Sequence, residues 1–146
     1  MKRVLLAFSF FLLVALPART SARTSGAFVM TVGADTVALE SFERDGDHLS
    51  GVTLYRKANL RTNWMLESGT DGNARRMSLE GRHANAPIDS KWLHSSSLEF
   101  RGDSVFVGRG PAPSAFATKA GAVPYLNPSM VLLEEMLRRA RALGPG

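Results

Sequence analysis

The chain has 146 residues, a formal net charge of +5, 45% apolar residues and no cysteine. Without cysteine, zinc–thiolate sites, thiol redox chemistry, cysteine nucleophiles and disulfide staples are excluded, so apolar burial and hydrogen bonds must hold the fold. The length suits one domain with one core, and the modest positive excess, partly gathered at the N-terminus, gives no support to a nucleic-acid partner.

Chain order begins with an export signal. Met1-Lys2-Arg3 is a positive head, and Val4 to Leu16 is apolar apart from Ser9, followed by Pro17 and small residues. Those are the three parts of a cleavable signal. The apolar run of 13 residues is shorter than the roughly 20 that cross a bilayer as a helix, so no integral span is expected after cleavage. Cleavage is expected after Thr20-Ser21-Ala22, with Ala18 as the alternative site, which divides the chain into a signal peptide (1–22) and a single β-rich domain (23–146). Losing Lys2, Arg3 and Arg19 with the leader lowers the net charge to about +2. No cysteine stands at the boundary to receive a lipid, so the expected product is exported, periplasmic or secreted, soluble and not a lipoprotein. Asn127-Pro128-Ser129 has proline at the position an N-glycosylation acceptor forbids.

The rest of the chain reads as short β-type runs closed by Gly, Asp or Asn at roughly ten-residue spacing, the pattern of an antiparallel meander of about seven to eight strands. Ala27–Val32 and Thr36–Phe42 flank Gly33-Ala34-Asp35, and Asp45-Gly46 joins Thr36–Arg44 to His48–Arg56. Asp-Gly is a strong hairpin signal, because its central positions tolerate positive φ. In the next run Leu60, Thr62, Trp64 and Leu66 share one face, with Arg61, Asn63, Met65 and Glu67 on the other. That period of two marks a half-buried strand. After a turn at Thr70-Asp71-Gly72-Asn73, Met77 and Leu79 alternate with Arg76, Ser78 and Glu80. His83–Ser97 reads as a loop or irregular edge around Trp92. Leu98 and Phe100 then face Val105 and Val107 across Arg101-Gly102-Asp103-Ser104, and a last strand covers Ser114–Thr118.

Asn127-Pro128 reads as a helix start, with Asn as cap and Pro in the first turn, for an amphipathic helix over 128–143 that stops at Gly144-Pro145. Met130, Leu132, Leu133, Met136, Leu137, Ala140 and Leu143 fall on one half of the wheel. Glu134, Glu135, Arg138, Arg139 and Arg141 fall on the other, with Val131 and Ala142 breaking the division. The expectation is that the apolar half packs on the sheet, Leu133 and Leu137 included, and that the charged half faces water.

Motifs for chemistry are weak. His48, His83 and His94 lie too far apart for a metal pair, so no metal site and no cofactor is expected. His94, Ser95 and Asp89 could be imagined as a hydrolase triad, but no Gly-x-Ser-x-Gly elbow accompanies them. Asp45-Gly46-Asp47 and Asp71-Gly72-Asn73 lack the ligand spacing of a calcium loop and read as turns. Gly108-Arg109-Gly110 leads into prolines rather than a helix, so it is a loop and no phosphate cradle. Arg101-Gly102-Asp103-Ser104 spells an integrin-ligand string where a hairpin needs a turn.

The export signal, the Asp/Gly-turned strands and the run Val123-Pro124-Tyr125-Leu126-Asn127-Pro128 into an amphipathic helix together resemble periplasmic curved-sheet proteins of the LolA-like and DUF3108-like kind. The resemblance implies a mainly β fold, a curved sheet or half-barrel wrapped on a helix around an apolar space, and it transfers no functional residue. Those proteins usually continue after a comparable helix, which implies a truncated or half-length relative with a sheet edge open to a partner. The functional expectation is a non-enzymatic envelope protein with no catalytic residue. It would hold an apolar or lipid-like ligand, or a protein partner's apolar segment, among Trp64, Leu66, Met77, Leu79, Phe100 and Met136. The alternatives are a module that pairs through an exposed sheet edge, and then a hydrolase.

Overall fold

The computed structural model describes residues 22–109 and 112–143. Nearly all of the expected export signal, Gly110 and the Gly144-Pro145 stop lie outside the described residues. Those residues form eight strands and one helix: β1 (Thr24–Val32), β2 (Asp35–Asp45), β3 (His48–Tyr55), β4 (Leu60–Ser68), β5 (Ala74–His83), β6 (His94–Arg101), β7 (Ser104–Gly108), β8 (Ser114–Ala117) and α1 (Met130–Leu143). Every strand pairs antiparallel with its neighbour in sequence, β1 through β8, in one curved sheet that does not close. The expected mainly β meander with one C-terminal helix is the fold observed.

Two-residue turns set the register. Val32 faces Asp35, Asp45 faces His48 and Arg101 faces Ser104, with Gly33, Gly46 and Gly102 at φ of 61°, 57° and 59°. A side chain is strained there, and glycine is not. The β3–β4 turn, which has no glycine, instead places Asn59 at φ 48°.

One face of the sheet is apolar because the period-two pattern stays in phase from strand to strand. Phe42, Gly51, Trp64 and Leu79 occupy one cross-strand row, and Leu49, Leu66, Met77 and Leu98 occupy the next. Gly51 is needed in its row: a Cβ would meet the Trp64 indole and lie 2.8 Å from the Ser41 carbonyl oxygen. Leu49, Trp64, Leu66, Ala74 and Met77 are buried here with Val131 and Leu132 of α1, and Phe28, Phe42, Leu79, Leu98, Phe100 and Leu126 pack around them.

Two sequence expectations are corrected. The stretch His83–Ser97 is only partly irregular, since β6 begins at His94 and Ser95–Ser97 pair with Ser78–Glu80 of β5. The loop before it is fastened to the opposite face by Arg82, which donates to the carbonyl oxygens of Pro87 and Ile88 and stacks on Trp92 at 4.8 Å. The helix begins at Met130, two residues later than expected, and its cap is Ser129 rather than Asn127. Ser129 Oγ accepts from the Leu132 amide at 3.2 Å, satisfying one of the donors a helix start leaves free.

The docked face of the helix also differs from the expected one. Val131 and Leu132 are fully buried and Glu135 nearly so, whereas Leu137 is 53% exposed and Met136 37%. Glu135, expected in water, faces the sheet.

Candidate functional site

The most elaborate arrangement of polar groups lies on the face of the sheet that carries α1, centred on Glu40. Its position in β2 follows from phase: Glu40 stands between Ala38 and Phe42 on the inward-facing alternation, so its side chain enters the core and is 2% exposed. A carboxylate there must be supplied with donors. Ser129 Oγ donates to Oε1 at 2.6 Å and Thr53 Oγ1 to the same oxygen at 3.2 Å; the Met130 and Val131 amides donate to Oε2 at 2.7 and 3.1 Å. Thr53 in turn accepts from Trp64 Nε1 at 3.1 Å. A chain of bonds therefore runs from the indole through Thr53 and Glu40 to the start of α1. The first turn of α1 has no acidic residue, and a sheet residue some 90 positions earlier supplies the negative group that a helix N-terminus favours.

A second carboxylate fixes the middle of the helix. Glu135 accepts from Arg44 Nη1 at 3.0 Å and from Arg138 Nε and Nη2 at 3.1 and 2.5 Å, and Arg139 Nε lies 3.5 Å away. Burial alone would push the Glu135 carboxyl up, but the bonds from Arg138 and Arg44 outweigh it and hold the group below the usual carboxylate range. The same contact raises Arg138. A depressed folded pKa contributes stability above the unfolded value and loses it as pH falls through the folded one. Stability should therefore fall as pH drops below about 4.5, and Glu135→Gln should flatten that acid limb in urea denaturation at stepped pH; parallel curves for the two proteins would refute this.

Beside this cluster lies a polar hollow of about 340 Å³ lined by Arg44, His48, Leu66, Glu134, Glu135 and Arg138, among others. Both arginines already serve Glu135. Neither is free to hold an anion there.

Of the residues expected to line a ligand space, Trp64, Leu66 and Met77 are buried at 1–3% exposure. Leu79 and Phe100 pack against them, and Val131 and Leu132 lie over them. Met136 stands outside that cluster. The five sheet residues thus fill space together, while Glu40, Glu135, Arg44 and Ser129, none of them among the expected site residues, organise the polar contacts. A signal for Glu40 was present, since a charged residue in phase with a buried row is either paired or misplaced. His94 and Ser95 are successive strand residues and so point to opposite faces, which parts the base from the nucleophile of the imagined triad. Among the described residues, no three His, Cys, Asp or Glu side chains gather as a metal site, and no helix is long and apolar enough to cross a membrane.

The sheet ends in two unlike edges. β8 has four residues, all exposed, and is short enough to offer little to a partner. β1 has nine residues, Thr-Ser-Gly-Ala-Phe-Val-Met-Thr-Val, with neither charge nor proline. Comparison with known proteins finds no match: no family model, no curated protein and no solved structure corresponds to this chain.

Proposed function

We propose that this is an exported, non-enzymatic envelope protein that acts by binding another protein, taking an extended segment of it onto the free edge of β1. One observation carries the reading. Among the described residues β1 pairs with β2 alone, and apart from a register shift at Met30–Thr31 its nine residues carry no lysine, proline or other charge and are not short, so most devices by which edge strands are kept from pairing are missing. Val29 and Val32 are 64% and 71% exposed beside that edge, where alternate side chains of an added strand would pack. The pattern of elements that resembles the LolA-like and DUF3108-like families supports the envelope setting. An apolar or lipid-like ligand between sheet and helix would first have to displace Val131 and Leu132, so the edge is the better-supported surface.

Hydrogen exchange on protein purified from its host, with and without an extended peptide of alternating valine and threonine as probe, tests this. The peptide should protect amides of β1 and leave those of α1 unchanged, and the Val29→Lys, Val32→Lys double variant should lose the protection while keeping its stability within about 0.5 kcal/mol. Protection confined to α1 or to β4 would overturn the edge reading in favour of a ligand between sheet and helix. Intact mass of the same sample should show an N-terminus between Arg19 and Arg23; a mass retaining Met1 would remove the export part.

A further inference from the structure

The outward side of α1 holds a pattern that the domain itself covers only in part, with Met130 and Leu133 half-buried. Met130, Leu133, Leu137 and Ala140 recur at steps of three and four, the a and d positions of two heptads. The sheet takes a different face, the one with Val131, Leu132 and Glu135. Leu137 is 53% exposed, Met136 is 37% exposed and Ala140 is exposed as well. A run of apolar residues at this spacing, on a helix already docked by its other side, marks an interaction surface.

The charges along its border select the occupant. In this heptad frame both e positions are charged and exposed, Glu134 at the start and Arg141 near the end, while the g positions, Ser129, Met136 and Leu143, are uncharged. Antiparallel helices set e against e, and a two-fold axis through Leu137 would bring Glu134 of each copy level with Arg141 of the other to within one residue, about 1.5 Å. Parallel helices set e against g, which would leave Glu134 facing Ser129 and Arg141 facing Met136, with no opposite charge for either. Arg138 is hydrogen-bonded to Glu135 at 2.5 Å, and Glu134, which it also attracts at longer range, keeps its carboxylate without a bonded partner of its own among the described residues. The geometry points to a second copy of this chain as the partner of this face, in a symmetric dimer whose α1 helices pack antiparallel through Leu133, Leu137 and Ala140 with reciprocal Glu134–Arg141 pairs. The stripe is about 15 Å long, so the contact belongs with small interfaces and the dimer is weak and concentration-dependent. This surface is separate from the β1 edge, and either can fail without the other.

Sedimentation equilibrium of the protein purified from its host, from about 1 to about 500 μM, covers the affinities expected of so small an interface. The mass should rise toward that of a dimer, and Leu137→Glu should hold it at the monomer with an unchanged urea midpoint, because that side chain is mostly exposed. Glu134→Arg or Arg141→Glu alone should each weaken association about fivefold or more, and the two together should restore it. A monomer at every concentration would overturn the proposal. So would a dimer indifferent to Leu137→Glu and abolished by Val29→Lys with Val32→Lys, which would place the contact at the β1 edge, or a failure of the double charge reversal to restore what each single reversal lost.

Discussion

Replacing Glu40 with alanine should cost about 3–5 kcal/mol and loosen α1 from the sheet, an effect near the top of what single substitutions do. The reason lies in which donors are stranded. Ser129 and Thr53 hydroxyls can rotate toward other acceptors, but the amides of Met130 and Val131, which donate to Oε2 at 2.7 and 3.1 Å, are fixed by the helix itself. Each buried donor left without an acceptor costs about 1–3 kcal/mol, and the lost attraction between the carboxylate and the helix N-terminus adds about 0.3–1 kcal/mol more. Burying a carboxylate is itself expensive, and elsewhere a buried polar set can be exchanged for apolar side chains at no loss. That exchange fails here, because two of the partners are backbone amides that no side-chain substitution removes. Glu40→Met should therefore be nearly as damaging as Glu40→Ala, while Glu40→Gln, which keeps one acceptor oxygen, should cost about 1–3 kcal/mol. Urea denaturation gives the energies and near-ultraviolet dichroism of Trp64 reports the far end of the bonded chain. A cost below about 1 kcal/mol for Glu40→Ala would mean that apolar contact alone holds the helix.

The strands were legible in the sequence and the docking of the helix was not, for a physical reason visible in particular residues. A strand has two faces, so a period-two pattern bounded by turns leaves one choice of register, and Leu60, Thr62, Trp64 and Leu66 point inward as their alternation requires. Ser95–Ser97 carry no strand signal in their side chains, and what makes them a strand is backbone pairing, with β5 along all three and with β7 at Ser97. A helix can meet two neighbours. In α1 the apolar residues spread over more than one face, and a wheel that assumes a single buried stripe merges them and sends every charge to water. The sheet takes Val131 and Leu132 together with Glu135 because Arg44 waits opposite to pair with it, and Arg44 is 91 positions away. No local pattern reports a partner at that distance. The same holds for Glu40 and Ser129, separated by 89 positions. Of the expected site residues, those on strands are gathered in one place as their phase required, and the one taken from the helix, Met136, is not.

Trp64→Ala should be as costly as the loss of Glu40, about 3–5 kcal/mol, and its setting in the sheet makes the upper part of that range the expected result. The indole is 3% exposed and lies over Gly51, which has no side chain to move into the space it would leave. The cost of a large-to-small change grows with the cavity that remains, and here one wall of the cavity is backbone. The substitution also removes the Nε1–H that donates to Thr53 Oγ1, loosening the hydroxyl that helps to hold Glu40. Asn63→Ala, one residue away on the opposite face, should change stability by less than about 1 kcal/mol; equal effects would mean the inward row has been assigned to the wrong face. Gly51 gives a sharper check. Alone, Gly51→Ala should cost about 1–3 kcal/mol, because the new methyl meets the indole. With Trp64 already alanine the ring is gone and the methyl enters the vacated space, so the same substitution should cost at least about 1 kcal/mol less, a coupling measured as a double-mutant cycle. Additive costs would show that glycine is needed at 51 for its approach to the Ser41 carbonyl oxygen, 2.8 Å from a Cβ at that position, rather than for the tryptophan.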